Sequence, residues 1–169
     1  GVIKKVVPSL NASFVDVGYK KDAFLHYLDL GPQFNSLKKA IRYVRHKQGN
    51  IKNLVEFVVE PPIDKLGKIG DLLTKGQEVL VQIVKEPISS KGPRIASELT
   101  LPGRYMILIP FVDTISISKK ITNAEERDRL HRLIASIKPK DFGVIVRTVA
   151  KGIDVATLDR DLRDLIDKW

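Results

Sequence analysis

Apolar and polar positions along this chain change their pattern twice. Residues 1–8 and 12–18 are strand-like runs on either side of Ser9-Leu10-Asn11, which predicts a hairpin, and Ala23-Phe24-Leu25-His26 follows a polar turn as a third short strand. After Leu30-Gly31-Pro32 the spacing turns helical: over 36–47, Leu37, Ala40, Ile41 and Val44 share one face. A strand-like run at 54–60 is closed by Pro61-Pro62, and 64–70 is rich in turn residues, so 31–70 reads as an insertion within a first domain. A helical turn at 71–74 leads to the β-branched run 78–85, which predicts a buried strand. Two prolines and a glycine exclude 86–93 from a ladder, and 94–101 alternates Ile95, Ser97, Leu99 and Leu101 against the other face, the period of a half-buried strand. Pro102-Gly103 stops it.

Beyond Gly103 strands and helices alternate. Strands at 105–110 and 115–120 precede an Asn123-x-x-Glu126 capping signature and an amphipathic helix with Leu130, Leu133, Ile134 and Ile137 inside, terminated by Pro139. The run 142–148 is a strand ending in Arg147 beside the hydroxyl of Thr148. A last helix starts near Asp154 and gathers Val155, Leu158, Leu162, Leu165, Ile166 and Trp169 on one face, leaving Asp154, Asp159, Asp161, Asp164 and Asp167 on a solvated one. The expected fold class is mixed α+β: five strands in 1–102 suit a small barrel of the oligonucleotide-binding (OB) type, and 103–169 forms a small α+β domain.

Charge narrows the partners. Lys and Arg number 29 against 20 for Asp and Glu, a formal net charge of +9, which draws anions; nucleic acid fits better than a membrane surface, which would ask for an amphipathic anchor with exposed aromatics. No apolar run approaches the ~18 residues of a membrane span. There is no signal-peptide pattern, and the chain opens at Gly1 directly on a strand-like run, as a piece of a longer protein would. Zero cysteines exclude disulfides and thiolate metal sites and fit a reducing cytoplasm, the expected location. His26, His46 and His131 show no paired metal-ligand spacing.

Candidate chemistry is that of binding. Lys85, Lys91 and Arg94 cluster around the 86–93 turn, and no acidic residue interrupts 36–53, where Lys38, Lys39, Arg42, Arg45, Lys47 and Lys52 form either a phosphate-tracking arm or a solvated helix. Phe14 and Phe24, on neighbouring short strands, either fill the core or offer a π-surface to unstacked bases; the pattern alone favours the core. Neither a nucleophile–base pair nor a Gly-rich phosphate loop is present to support a separate enzyme.

The motifs Ala12-Ser13-Phe14-Val15-Asp16-Val17-Gly18, Ala23-Phe24-Leu25-His26, Gly76-Gln77-Glu78-Val79-Leu80-Val81-Gln82, Lys85-Glu86-Pro87 and Lys91-Gly92-Pro93 together resemble the amino-terminal region of ribonucleases of the E/G family. Gly103-Arg104-Tyr105-Met106-Ile107-Leu108-Ile109-Pro110, Ile117-Ser118-Lys119-Lys120 and Gly143-Val144-Ile145-Val146-Arg147-Thr148 resemble that family's 5′-end sensor; the resemblance fails over the insertion. It implies an S1 RNA-binding barrel, with RNA contacts from Phe14, Phe24, Lys85 and Lys91, which moves the phenylalanines towards a binding face. It also implies a pocket for a 5′-monophosphate built from Arg147 and Thr148, with the backbone at Gly103 and Ile107. Where the best-known members have paired arginines this chain has Lys119 and Lys120, which lack the bidentate fork. The implied partner is single-stranded RNA with a 5′-monophosphate, and the longer protein is expected to be a homo-oligomer. The family's chemistry, magnesium-assisted RNA hydrolysis, rests on two carboxylates in a nuclease domain further along. This chain is therefore expected to bind RNA without cutting it, and to hold no Mg2+ itself. The alternative is a self-contained S1-type RNA-binding module, which needs neither the 103–169 domain nor Arg147-Thr148.

Overall fold

The computed structural model describes residues 1–46, 54 and 57–169. It is a mixed α+β chain with two sheets and four helices among the described residues, gathered into two compact units: Gly1–Gln48 with Glu60–Leu99, and Gly49–Val59 with Thr100–Trp169.

The first unit is built on β1 (Val2–Val7), β2 (Ala12–Asp16), β3 (Ala23–His26), β4 (Gln82–Lys85) and β5 (Arg94–Ala96), ordered β1-β2-β3-β5-β4. All neighbours are antiparallel except β3 and β5, which run parallel. The expected hairpin forms: a 3-10 turn at Pro8–Leu10 ends on Asn11 at φ 45°, a left-handed position that asparagine tolerates. Asn11 also fastens the return of the insertion, donating from Nδ2 to the Gly67 carbonyl (3.0 Å) and accepting from the Ile69 N–H (2.7 Å). The core holds Ile3, Val15, Ala23, Leu25, Tyr27, Leu30, Phe34, Ile69, Leu73, Val79 and Ile95.

The strands do not close into a complete barrel. β1 meets the approach to β4 through one Val2–Glu78 bridge and the backbone bonds Ile3 N–H to Gln77 O (2.9 Å), Gly76 N–H to Ile3 O (2.8 Å) and Val79 N–H to Gly1 O (2.9 Å). The expected buried strand at 78–85 is correspondingly shorter and more exposed. Only Gln82–Lys85 pairs with β5, and Ile83 and Val84 are 58% and 49% exposed, because β4 ends the strand order and lacks a neighbour beyond it. The expected strand at 94–101 also divides: β5 stops at Ala96, and the buried Ser97 donates its N–H to Asp29 O (2.8 Å) and its hydroxyl to Leu80 O (3.1 Å).

Within the insertion, α1 (Phe34–Arg45) begins two residues before the expected helix and buries Phe34, Leu37 and Ala40, leaving Val44 49% exposed. The expected helical turn at 71–74 forms two residues earlier, as α2 (Ile69–Leu72). Of the strand-like run 54–60, residues 55 and 56 lie outside the described residues and the others form no strand; Lys47 and Lys52 also lie outside them.

The second unit pairs β6 (Leu101–Pro102), β7 (Met106–Pro110), β8 (Ile115–Ile117) and β9 (Phe142–Val146) in the order β6-β7-β9-β8, with β8 parallel to β9. Helices α3 (Ala124–Ile137) and α4 (Val155–Lys168) bury Leu130, Ile134, Leu158, Leu162 and Leu165 beside Met106, Leu108, Val144 and Val146 of the sheet. Asn123 caps α3 by accepting the Glu126 N–H (2.8 Å), as its sequence predicts, but Glu126 turns away from the cap. Its carboxylate grips Arg129 through two 2.7 Å bonds and accepts the Gly152 N–H (2.8 Å). Asp154 caps α4, accepting from the Thr157 N–H (2.9 Å) and hydroxyl (2.8 Å).

Candidate functional site

Two groups of side chains stand out, one in each unit. In the first unit, strand register sets five residues in one row across the whole sheet: Lys5 opposite Phe14, Phe14 opposite Phe24, Phe24 opposite Arg94, and Arg94 opposite Lys85. Directly paired residues share a face, so the row presents a cation, two aromatic rings and two cations in succession. On β2 and β3 the alternation puts Val15, Ala23 and Leu25 in the core and Phe14 and Phe24 on the opposite, half-buried face. The core placement that pattern alone favours is therefore not the one adopted. The rings meet edge to face at 5.9 Å. Lys85 precedes the 86–93 turn and Lys91 lies within it, both exposed; Lys91 tightens the turn by donating its N–H to Ile88 O (3.0 Å). Arg94 is committed elsewhere: Asp29 accepts from its Nε (3.0 Å) and Nη2 (2.8 Å), which raises the guanidinium's pKa. Lys5 was not singled out from the sequence; a β-bulge between Ile3 and Lys5 brings it into the row, and sequence alternation alone does not reveal a bulge.

In the second unit Arg147 and Thr148 lie where β9 ends in a 3-10 turn, at a wide-mouthed depression of about 300 Å³ lined by Ser118, Ile145, Val146, Arg147, Thr148 and Val149. The Ser118 and Thr148 hydroxyls share a 2.8 Å hydrogen bond, and Ser118 Oγ also accepts the Lys120 N–H (3.3 Å). Ser118, which the sequence pattern does not distinguish, is thus part of the site, whereas Lys119 and Lys120 beside it are both exposed. Arg147 Nη1 donates to the carbonyls of Gly103 (2.7 Å) and Arg104 (3.3 Å), so Gly103 touches the site through its oxygen, and Ile107 pairs with Ile145 on the neighbouring strand.

The turn that supplies those carbonyls is itself held. The Asp161 carboxylate of α4 accepts the N–H groups of Arg104 (3.1 Å), Tyr105 (2.9 Å) and Met106 (3.2 Å). Gly103 permits this approach: a Cβ there would stand 2.7 Å from Asp161 Oδ2 and 3.0 Å from Leu165 Cδ1. Asp161 thus departs from the solvated face expected of it, whereas Asp159 pairs with Arg163 along the helix (2.8 Å) and Asp164 is exposed. Among the described residues no three His, Asp or Glu side chains gather to hold a metal ion. No helix among them is long and apolar enough to cross a membrane.

The first unit thus carries cations and phenylalanines on one face of its sheet, and the second a depression lined by a guanidinium and two hydroxyls. The chain belongs to the ribonuclease E/G family: residues 100–169 match the model of that family, and curated relatives align over its whole length. It is 34% identical over 170 residues to ribonuclease E of Synechocystis sp., covering 100% of this chain and 21% of that protein. Identity to ribonuclease G of Escherichia coli is 31% over 169 residues, again 100% of this chain and 31% of the relative. With the ribonuclease E/G-like protein of Porphyra purpurea it is 36%, covering 100% and 28%. The chain therefore spans between a fifth and a third of these relatives. A solved structure of the Staphylococcus aureus RNase P protein matches over 41% of this chain and 79% of its own at 23% identity, with a TM-score of 0.35.

Proposed function

We propose that this chain is the RNA-binding and 5′-monophosphate-sensing region of a single-strand-specific endoribonuclease of the E/G type, acting in RNA processing and decay. The names of its relatives support RNA as the partner. The strand order with its parallel β3–β5 pair supports reading the first sheet as an S1/OB-type barrel whose closure between β1 and β4 is reduced to a few backbone bonds. Catalysis, with its magnesium ions, belongs to a part of the protein that this chain does not carry.

The observation that carries the sensing role is the convergence of Arg147, Thr148 and Ser118 on one depression, with no carboxylate lining it among the described residues. A terminal monophosphate brings up to two negative charges and three acceptor oxygens. Nη1 of Arg147 is anchored to two carbonyls, which aims the guanidinium's remaining donors, while the Ser118–Thr148 pair shares one bond and keeps one hydroxyl proton to donate. A 5′-hydroxyl offers neither the charge nor the acceptors. Charge-assisted bonds contribute about 1.5–3 kcal/mol each, so 5′-monophosphorylated RNA should bind roughly tenfold or more tightly than the same strand with a 5′-hydroxyl. The test compares these two oligonucleotides on the wild-type chain and on Arg147→Ala. Loss of the preference with unchanged binding of the 5′-hydroxyl strand is expected; equal binding of both strands by the wild type, in this chain and in the full-length protein, would overturn the sensing role.

A further inference from the structure

We propose that the outer face of α1 is a second track for the phosphodiester backbone of single-stranded RNA, separate from the sheet row and from the 5′-end depression. A helix face left simply to solvent is convex, whereas this one forms a groove of about 440 Å³ lined by Asn35, Lys38, Lys39, Arg42, Tyr43 and His46 of the helix side and by Glu60 of the returning chain. The far wall is fixed to the helix. The Glu60 N–H donates to the fully buried Ser36 hydroxyl (2.9 Å), that hydroxyl contacts Gln33 Oε1 (3.1 Å), and Lys39 Nζ binds the Glu60 carboxylate (2.6 Å).

Among the described residues lining the groove, Lys38, Lys39 and Arg42 face one carboxylate. Glu60 answers Lys39; among the described residues Lys38 meets the Leu72 carbonyl (3.4 Å) and the face of the Phe34 ring (5.3 Å to its centre), and no carboxylate binds it or Arg42. Lys38 is partly desolvated and feels the charge of Arg42, both of which lower its pKa; a bound anion would relieve that repulsion. Lys38 and Arg42 stand one turn apart, about 6 Å along the axis at 1.5 Å per residue, which suits a chain of repeating charges better than a single compact anion. Tyr43 adds a ring on which a base can stack. The same unit already presents an aromatic and cationic sheet face, so RNA is favoured over an acidic peptide.

The measurement is the salt dependence of binding of a 5′-hydroxyl single-stranded RNA, which bypasses the 5′-end reading. Lys38→Gln with Arg42→Gln should lower the log–log slope by about 1.4, at roughly 0.7 per phosphate contact on single strands. Arg160→Gln with Lys168→Gln removes equal charge from exposed positions of α4 and should leave the slope unchanged. Arg42→Glu alone, at an exposed position, should lower the slope even if the half-buried Lys38 tolerates no change. An unaltered slope in the α1 variants, or an equal fall in the α4 control, would overturn the proposal. So would a poly-glutamate peptide that binds as tightly as the RNA and is lost with the same α1 variants.

Discussion

Phe14 and Phe24 show how a single residue's role turns on its partner across the sheet. Each lies in a short run whose pattern alone favours a ring in the core; the register that puts Val15, Ala23 and Leu25 inside turns both rings outward instead. Truncating either to alanine should weaken single-stranded RNA binding by roughly 1–3 kcal/mol, the range for one base–aromatic stack. Removing a core phenylalanine would instead cost about 3–5 kcal/mol of stability. Thermal melts run beside the binding titrations separate the two, and a large fall in Tm without loss of affinity would return the rings to the core. Residues whose meaning depends on a local irregularity were harder to foresee. Lys5 enters the row only through a bulge, and Ser118 becomes part of a site only because β8 pairs in parallel with β9 and brings it to Thr148.

Helices and strands in the second unit follow their sequence patterns closely, because caps and apolar spacing are local signals: α3 begins after Asn123 and α4 after Asp154, as expected. What those signals do not reveal is where a polar side chain goes once its helix has packed. Asp161 falls on the polar side of α4 by spacing yet holds the 104–106 turn through three N–H groups. Asp161→Asn replaces one acceptor oxygen by an NH2 that faces donors, at a cost of about 1–3 kcal/mol. Faster hydrogen exchange at Arg104, Tyr105 and Met106 should accompany a weakened preference for 5′-monophosphate, with 5′-hydroxyl binding unchanged; unchanged exchange would show that the turn stands without it. Glu126 carries the clearest pH signature. The hydrogen bonds from Arg129, followed by the Gly152 N–H, pull its carboxyl from 4.5 down to about 2. A folded-state pKa below the unfolded one gives stability that is complete above about 4.5 and lost as pH falls towards 2. Glu126→Gln should therefore lower Tm at neutral pH, and the gap to the wild type should close as acid approaches pH 2. A gap that stays constant with pH would assign the loss to packing instead.

On the reading proposed above, the molecule holds an RNA strand and leaves the cutting to a part of the protein outside this chain. Incubated with labelled single-stranded RNA and magnesium, the purified chain should leave the RNA intact while retaining it in a mobility shift; cleavage that survives repeated purification and disappears in a variant of this chain would contradict that. That the chain mixes strands and helices was legible in periodicity and turn residues, but how strands join was not: the β1–β4 contact rests on backbone bonds around Gly76–Val79 that no side-chain pattern announces. The row from Lys5 to Lys85 has a further consequence. Its five positions are spaced by main-chain hydrogen bonding, about 4.8 Å from strand to strand, and not by the side chains that occupy them. Exchanging a ring for a cation at one rung changes the chemistry of that face without requiring the main chain to move. On the RNA-binding reading, preference for one RNA over another is then free to drift by single substitutions without the scaffold being redesigned.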